Sequence, residues 1–191
     1  MQLVYDNVHG SGELYLKVMK AICGDVSNCS VLDLCCYHSP YIPQMGFKYR
    51  TYVDILDRKL DDENERQYFI QSDAFEFLER SYPNVWDWIV CSDGLEHFTS
   101  GDGMKLLDNI VEASWSRVLF TPLGENMVEK IPSNDPDTHK SGFTPDILEN
   151  HALGYWHSVV FPKFHDTFGA FFFFHCQDNE AAIERIKQLE L

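Results

Sequence analysis

The chain alternates short apolar runs with segments whose apolar residues recur every three or four positions. Strand candidates are Ser30 to Leu34, Thr51 to Ile55, Tyr68 to Gln71, Trp86 to Cys91 and Arg117 to Thr121, each short and rich in β-branched or aromatic residues. Between them, Glu13 to Ile22, Ala74 to Ser81 and Asp102 to Ser114 carry helical spacing, with Met104, Leu107, Ile110 and Val111 in the last of these. Runs that are apolar throughout, rather than at alternate positions, suit strands covered on both sides. The pattern therefore predicts a parallel sheet with helices on its two faces.

After Pro122 the pattern changes. A long polar connection through Asp137 leads to a helix start at Thr144-Pro145-Asp146, with Thr144 as N-cap and Pro145 in the first turn, where a missing amide hydrogen costs nothing. Trp156 to Phe161 and Gly169 to Cys176 are two further strand candidates, and the intervening Pro162 to Asp166 fits an antiparallel hairpin. Phe171 to Phe174 reads as a strand buried on both faces, and Asn179 to Leu191 as an amphipathic closing helix. No repeat or Pro/Ser-rich linker divides the sequence, so residues 1–191 are expected to form one α/β domain.

Composition agrees and narrows the setting. A chain of 191 residues, 45% of them hydrophobic, can bury a sizeable core. Its longest apolar stretch, Phe168 to Phe174, is far short of the roughly 20 residues that cross a bilayer, and the start of the chain, with Asp6 and no basic flank, does not read as a secretory signal. The expectation is a cytoplasmic protein. Cys23, Cys29, Cys35, Cys36, Cys91 and Cys176 lack the density and spacing of a disulfide framework, so reduced thiols are expected. A formal net charge of −15 without any basic stripe argues against nucleic-acid partners and favours a small or neutral substrate.

In a doubly wound sheet, ligands bind at the carboxyl ends of the strands. Polar residues stand there in a regular series: Asp33, Asp54, Asp73 and Ser92-Asp93. A carboxylate at the end of the second strand can accept both hydroxyls of a ribose, and Asp54 lies 21 residues past Asp33, close to the spacing of about 20 in dinucleotide sites. Singly, such residues are more often turn or helix caps.

Together they resemble the class I S-adenosylmethionine-dependent methyltransferases. Val31-Leu32-Asp33-Leu34 resembles that family's first motif, Tyr52-Val53-Asp54-Ile55 its ribose-binding strand, and Gln71-Ser72-Asp73-Ala74 its adenine-holding loop. The stretch from Trp86 to Phe98, ending Ser92-Asp93-Gly94-Leu95-Glu96-His97-Phe98, is similar to the fourth motif, in which Leu-Glu-His opens a helix. Val118 to Gly124 looks like the fifth strand and its loop, and His139-Lys140-Ser141-Gly142-Phe143-Thr144-Pro145 resembles a segment of methyltransferase-like proteins found among surface-polysaccharide enzymes. The resemblance covers about Ser30 to Cys176.

It implies a Rossmann-like three-layer sandwich with a seven-stranded, mostly parallel sheet and an antiparallel C-terminal strand. It also implies S-adenosylmethionine as cofactor, bordered by Asp33, Cys35, Tyr37, His38, Asp54, Ile55, Asp73, Ala74, Ser92 and Asp93. His97 and His139 are the candidate catalytic residues, since an imidazole at the substrate mouth can take a proton from a hydroxyl or amine. Motifs of base methylation are missing: Ser92-Asp93-Gly94-Leu95 stands where an Asn/Asp-Pro-Pro-aromatic tetrad is needed, and no Pro-Cys nucleophile occurs. Transfer to oxygen or nitrogen of a small-molecule or sugar-type acceptor remains.

One departure is large. Where the family has Asp-x-Gly-x-Gly-x-Gly, this chain has Asp33-Leu34-Cys35-Cys36-Tyr37-His38-Ser39, without a glycine. Glycine there permits positive φ and brings backbone amides close to the methionine end of the cofactor. Tyr37, His38 and Ser39 can instead donate side-chain hydrogen bonds to a carboxylate. Cys35, Cys36, His38, Cys91 and His97 converge at the strand ends, but their spacing matches no zinc pattern and adjacent cysteines rarely share a tetrahedral ion, so no metal is expected. Two readings stay open: an active methyltransferase, and a non-catalytic protein of the same fold whose closed methionine subsite leaves it a partner-binding module. A nucleotide-dependent oxidoreductase is disfavoured, as no G-x-G-x-x-G occurs.

Overall fold

A computed structural model of the chain describes residues 1–37, 40–57, 66–124, 128, 135, 136, 138–152 and 156–191. Its strands are β1 (Gln2–Val4), β2 (Ser30–Leu34), β3 (Tyr49–Asp54), β4 (Gln67–Gln71), β5 (Trp88–Ser92), β6 (Ser116–Pro122), β7 (His157–Phe161) and β8 (Ala170–His175). The helices are α1 (Gly12–Cys23), α2 (Ile42–Met45), α3 (Ala74–Glu79), α4 (Ser100–Ala113), α5 (Pro145–His151) and α6 (Asn179–Lys187), with a 3-10 turn at Leu95–His97. All strands join one sheet in the order β1-β7-β8-β6-β5-β2-β3-β4. Only β8 runs against its neighbours, pairing antiparallel with both β6 and β7.

The sheet has eight strands where seven are expected from the sequence. The addition is β1, which pairs parallel with β7 at the edge through Leu3↔Val159. Three residues give too short an apolar run to register as a strand, and the pairing exists only once β7 is in place. The hairpin expected at the end of the chain forms β7 and β8, and Thr144 caps α5 by accepting from the Ile147 amide. Helix α2 lacks the length to show periodicity.

Alternating side chains divide between two cores. Val31, Tyr52, Val90, Val118, Phe120, Phe172 and Phe174 face α1, α2 and α6, whereas Leu32, Val53, Ile89, Leu119, Phe171 and Phe173 face α3, α4 and α5. The Phe171 to Phe174 run thus feeds both layers, each ring with no exposure. Burying such a ring stabilises by about 1.5–3 kcal/mol, so β8 anchors the sheet beside the strands whose ends form the site.

Candidate functional site

Strands β2 to β6 are mutually parallel, so their carboxyl ends share one edge, and the chain order reverses between β2 and β5. A cleft of about 630 Å³ opens at that edge, a size suited to a small ligand. Cys35, Tyr37, Asp54, Ile55, Asp73, Ala74, Ser92, Asp93, His97 and His139 all line it. Asp33 does not; it is fully buried inside β2. His38 lies outside the described residues, as does Ser39.

At one end of the cleft the backbone organises the polar groups. Asp54 closes β3, its carboxylate accepting from the Tyr37 amide at 2.9 Å and the Leu56 amide at 2.8 Å. Asp73 caps α3, accepting from the Phe75 and Glu76 amides at 2.9 and 3.3 Å through one oxygen. Both carboxylates therefore serve the cap or turn role open to them in sequence while also facing the cleft. Ile55, more than half exposed, supplies apolar wall beside Ala74.

The glycine-free loop opens on a left-handed residue. Cys35, at the position of the first glycine, has φ +55°, and Asp93 at the facing loop has φ +50°. Left-handed backbone costs an ordinary residue about 1 kcal/mol or more, and such strain gathers at functional sites. The space for Cys35 comes from the other side: a Cβ on Gly94 would stand 2.6 Å from Cys91 Sγ, 2.9 Å from Cys35 Cβ and 3.2 Å from Cys35 Sγ. The side chain gained on the β2 loop thus sits against the glycine of the β5 loop. Cys91 is buried with its thiol hydrogen-bonded to that of Cys35, which, with desolvation, pushes its pKa well up. The Cys91 thiol stays protonated.

Behind this wall Tyr15, fully buried on α1, shares a short hydrogen bond with Ser92 and stacks on Tyr41 with ring centroids 3.9 Å apart. Burial raises the Tyr15 pKa well above its ordinary value. Solvent reaches Asp93 at the cleft mouth, yet the protein around it desolvates the carboxyl and pushes its pKa up to about 6.

At the opposite end, side chains from two segments meet. The Leu95–His97 turn carries Glu96, which is 1% exposed and accepts from the Thr121 hydroxyl at 3.1 Å. Burial, then the nearby Asp93 charge, pushes the Glu96 pKa up to about 8. The loop before α5 is stapled to this turn: the Lys140 and Ser141 amides donate to the Glu96 carbonyl at 2.7 and 3.2 Å, and the Ser141 hydroxyl donates to the Phe98 carbonyl at 2.7 Å. His97 and His139 consequently stand edge to face, centroids 4.9 Å apart.

Comparison with known proteins rests on structure, for no family model and no curated protein sequence matches the chain. Phosphoethanolamine N-methyltransferase 2 of Haemonchus contortus, solved with phosphomonomethylethanolamine and S-adenosylhomocysteine, superposes with a TM-score of 0.61 at 12% identity, over 86% of this chain and 52% of that one. This chain thus spans about half the length of that enzyme. The N-methyltransferase NodS of Bradyrhizobium japonicum WM9, solved with S-adenosylhomocysteine, gives 0.63 at 15% identity over 86% of each chain. A SAM-dependent methyltransferase of Archaeoglobus fulgidus gives 0.61 at 18% identity, over 87% of this chain and 94% of that one.

The fold is that of the S-adenosylmethionine-dependent methyltransferases. Within the methyltransferase fold, the expected three layers, the mostly parallel sheet and the antiparallel final strand are all present. Sequence reasoning missed several cleft residues. Gly94, Phe98 and Lys140 stand inside motifs that were recognisable, yet their roles as wall residues depend on which segments meet. Tyr41 precedes Ile42-Pro43, a helix start too brief to stand out. Tyr15, which backs the cleft wall without lining it, left no sequence signal, because its partner Ser92 is 77 residues away.

Proposed function

We propose that the chain is an S-adenosylmethionine-dependent methyltransferase acting on an oxygen or nitrogen of a small-molecule or sugar-type acceptor. The observation that carries this reading is the left-handed turn kept at Cys35, with Gly94 opposite it and the Tyr37 amide on Asp54. A loop released from cofactor binding has no reason to hold a strained turn and to keep open the cleft it borders. Two of the relatives in fold support the reading, being solved with S-adenosylmethionine or S-adenosylhomocysteine, one of them also with a small phosphorylated amine.

The residues fit such a cofactor by chemical type. Asp54 would accept the ribose hydroxyls, since a carboxylate oxygen that already takes one amide hydrogen has a second lone-pair direction. Ile55, Ala74 and Phe98 offer apolar wall to an adenine, and Asp73 an acceptor beside it. Cys35, Tyr37, Ser92 and Asp93 would border the methionine end, and His97, His139 and Lys140 the acceptor. When bound, the cofactor supplies a methyl group made electrophilic by its sulfonium. The chain's part is to align the two reactants and shield them from water, a contribution that can account for much of the rate.

In the rival, a binding module, the loop from Cys35 to Ser39 closes the methionine subsite; among the described residues of that loop, Cys35, Cys36 and Tyr37 line an open cleft, which favours the enzyme. Incubation with methyl-labelled S-adenosylmethionine and a panel of small hydroxy and amino acceptors, including phosphorylated amines and sugars, tests the proposal. Label in an acceptor supports it; bound cofactor without transfer to any acceptor class leaves the module ahead.

A further inference from the structure

We propose that Glu96, His97 and His139 form a site for a divalent transition-metal cation at the acceptor end of the cleft. Each residue offers one donor atom, and the three atoms all lie within 4.8 Å of one another. Donors in a tetrahedron with metal bonds of about 2.1 Å stand roughly 3.4 Å apart, so rotamer adjustments of about an ångström bring these three onto an ion. The donor set is one carboxylate and two imidazoles, which selects borderline cations such as zinc, cobalt or iron over magnesium or calcium.

The second observation is an unsatisfied atom. Glu96 Oε1 is buried and, among the described residues, without a hydrogen-bond partner, while Oε2 is held by Thr121. A buried carboxyl oxygen without a partner is costly whether the group is protonated or ionised. Among the described residues, no basic group lies within ion-pair distance of Glu96. A cation bonded to Oε1 removes that cost.

The surroundings are those of oriented ligands. Thr121 fixes the Glu96 carboxylate. His97 Nδ1 lies 3.4 Å from the Thr138 carbonyl; a carbonyl only accepts, so this bond places the hydrogen on Nδ1 and leaves the Nε2 lone pair to bind metal. The amides of Lys140 and Ser141 tie the His139 loop to the carbonyl of Glu96 itself, making the distance between the two ligand segments a feature of the backbone. The set shares only His97 with the cysteine-rich group considered from sequence.

Three protein ligands leave open positions, and His97 and His139 both line the cleft. Those positions would take an oxygen of the acceptor; this part rests on the methyltransferase reading, whereas the cation site does not. A metal-bound hydroxyl loses its proton to water more readily, and the resulting oxygen then attacks the methyl carbon as the carbon–sulfur bond breaks and the sulfonium becomes a thioether.

The test uses the full chain, freed of metal by a chelator that is then removed, and titrated with cobalt(II), whose visible absorption reports its ligands. The expected result is saturation at one cobalt per chain with nitrogen and oxygen ligation. His139→Ala, on a half-buried loop position, should weaken binding by about tenfold or more, and His97→Ala/His139→Ala should abolish it. Glu96→Gln should weaken it similarly. Circular dichroism of each variant identifies any that fails to fold, and His139→Ala then decides alone. Absence of stoichiometric binding, a thiolate-to-cobalt charge-transfer band, or undiminished binding in the double variant overturns the proposal. Calorimetry with S-adenosylhomocysteine on the same sample separates the two readings: cobalt bound without nucleoside keeps the cation site and sinks the methyltransferase, and the converse sinks only the cation site.

Discussion

The two ends of the cleft are built by different means. At the Asp54 end, polar groups are held by main-chain amides and by the strand ends themselves: Tyr37 and Leu56 on Asp54, Phe75 and Glu76 on Asp73. At the Glu96 end, the groups are side chains from two segments about 40 residues apart, joined by a handful of bonds from Lys140 and Ser141. The first kind follows from the topology of a parallel sheet and is shared by any sequence that adopts it. The second depends on which side chains a particular chain supplies, and such sites are where one fold acquires different chemistries.

The largest effect that separates the two ends is expected from Asp54→Ala. Loss of a charged acceptor should weaken S-adenosylhomocysteine binding by roughly 1.5–3 kcal/mol, read by calorimetry on protein whose melting profile remains cooperative. Equal affinity would remove Asp54 from the cofactor site. Next comes Gly94→Ala, whose methyl group would meet Cys91 Sγ at 2.6 Å and Cys35 Cβ at 2.9 Å. Overpacking of this kind costs about 1–3 kcal/mol, and Cys35→Gly should recover part of it. A double-mutant cycle in urea that finds the two changes additive would dissolve the exchange of side chain for glycine described above.

Tyr15→Phe removes the partner of Ser92 inside the wall between α1 and β5. The expected loss of stability is about 1 kcal/mol, the net worth of one hydrogen bond; denaturant unfolding measures it, and a stabilised variant would mean that Ser92 finds another partner. The smallest effect is expected at the far end. His139→Ala should leave the affinity for S-adenosylhomocysteine within about a factor of two, since the residue lies on the acceptor side and surface changes are usually worth under about 0.5 kcal/mol. A large drop would show that the ends are not separate.

The same division explains what could be read from the chain before its structure. Strand ends and their spacing are local, so Asp54, Asp73 and Ser92-Asp93 stood out and all line the cleft. Asp33, equally prominent in sequence, is fully buried, because β2 continues through Leu34 with both faces covered and the cleft begins only at Cys35. The absence of glycine in the Cys35 loop left two readings open, since the Gly94 that faces Cys35 is brought opposite only by pairing β2 with β5 through Leu34↔Cys91. The convergence of Glu96, His97 and His139 depends on the loop bonds to the Glu96 carbonyl, which no periodicity encodes.

The central claim is that a loop without glycine still serves a cofactor. Titration of the purified chain with S-adenosylhomocysteine in a calorimeter tests it most directly. The account predicts saturable binding of one ligand per chain, weakened in Asp54→Ala. Absence of heat at millimolar ligand, in protein that unfolds cooperatively, would contradict it and leave the fold without the cofactor.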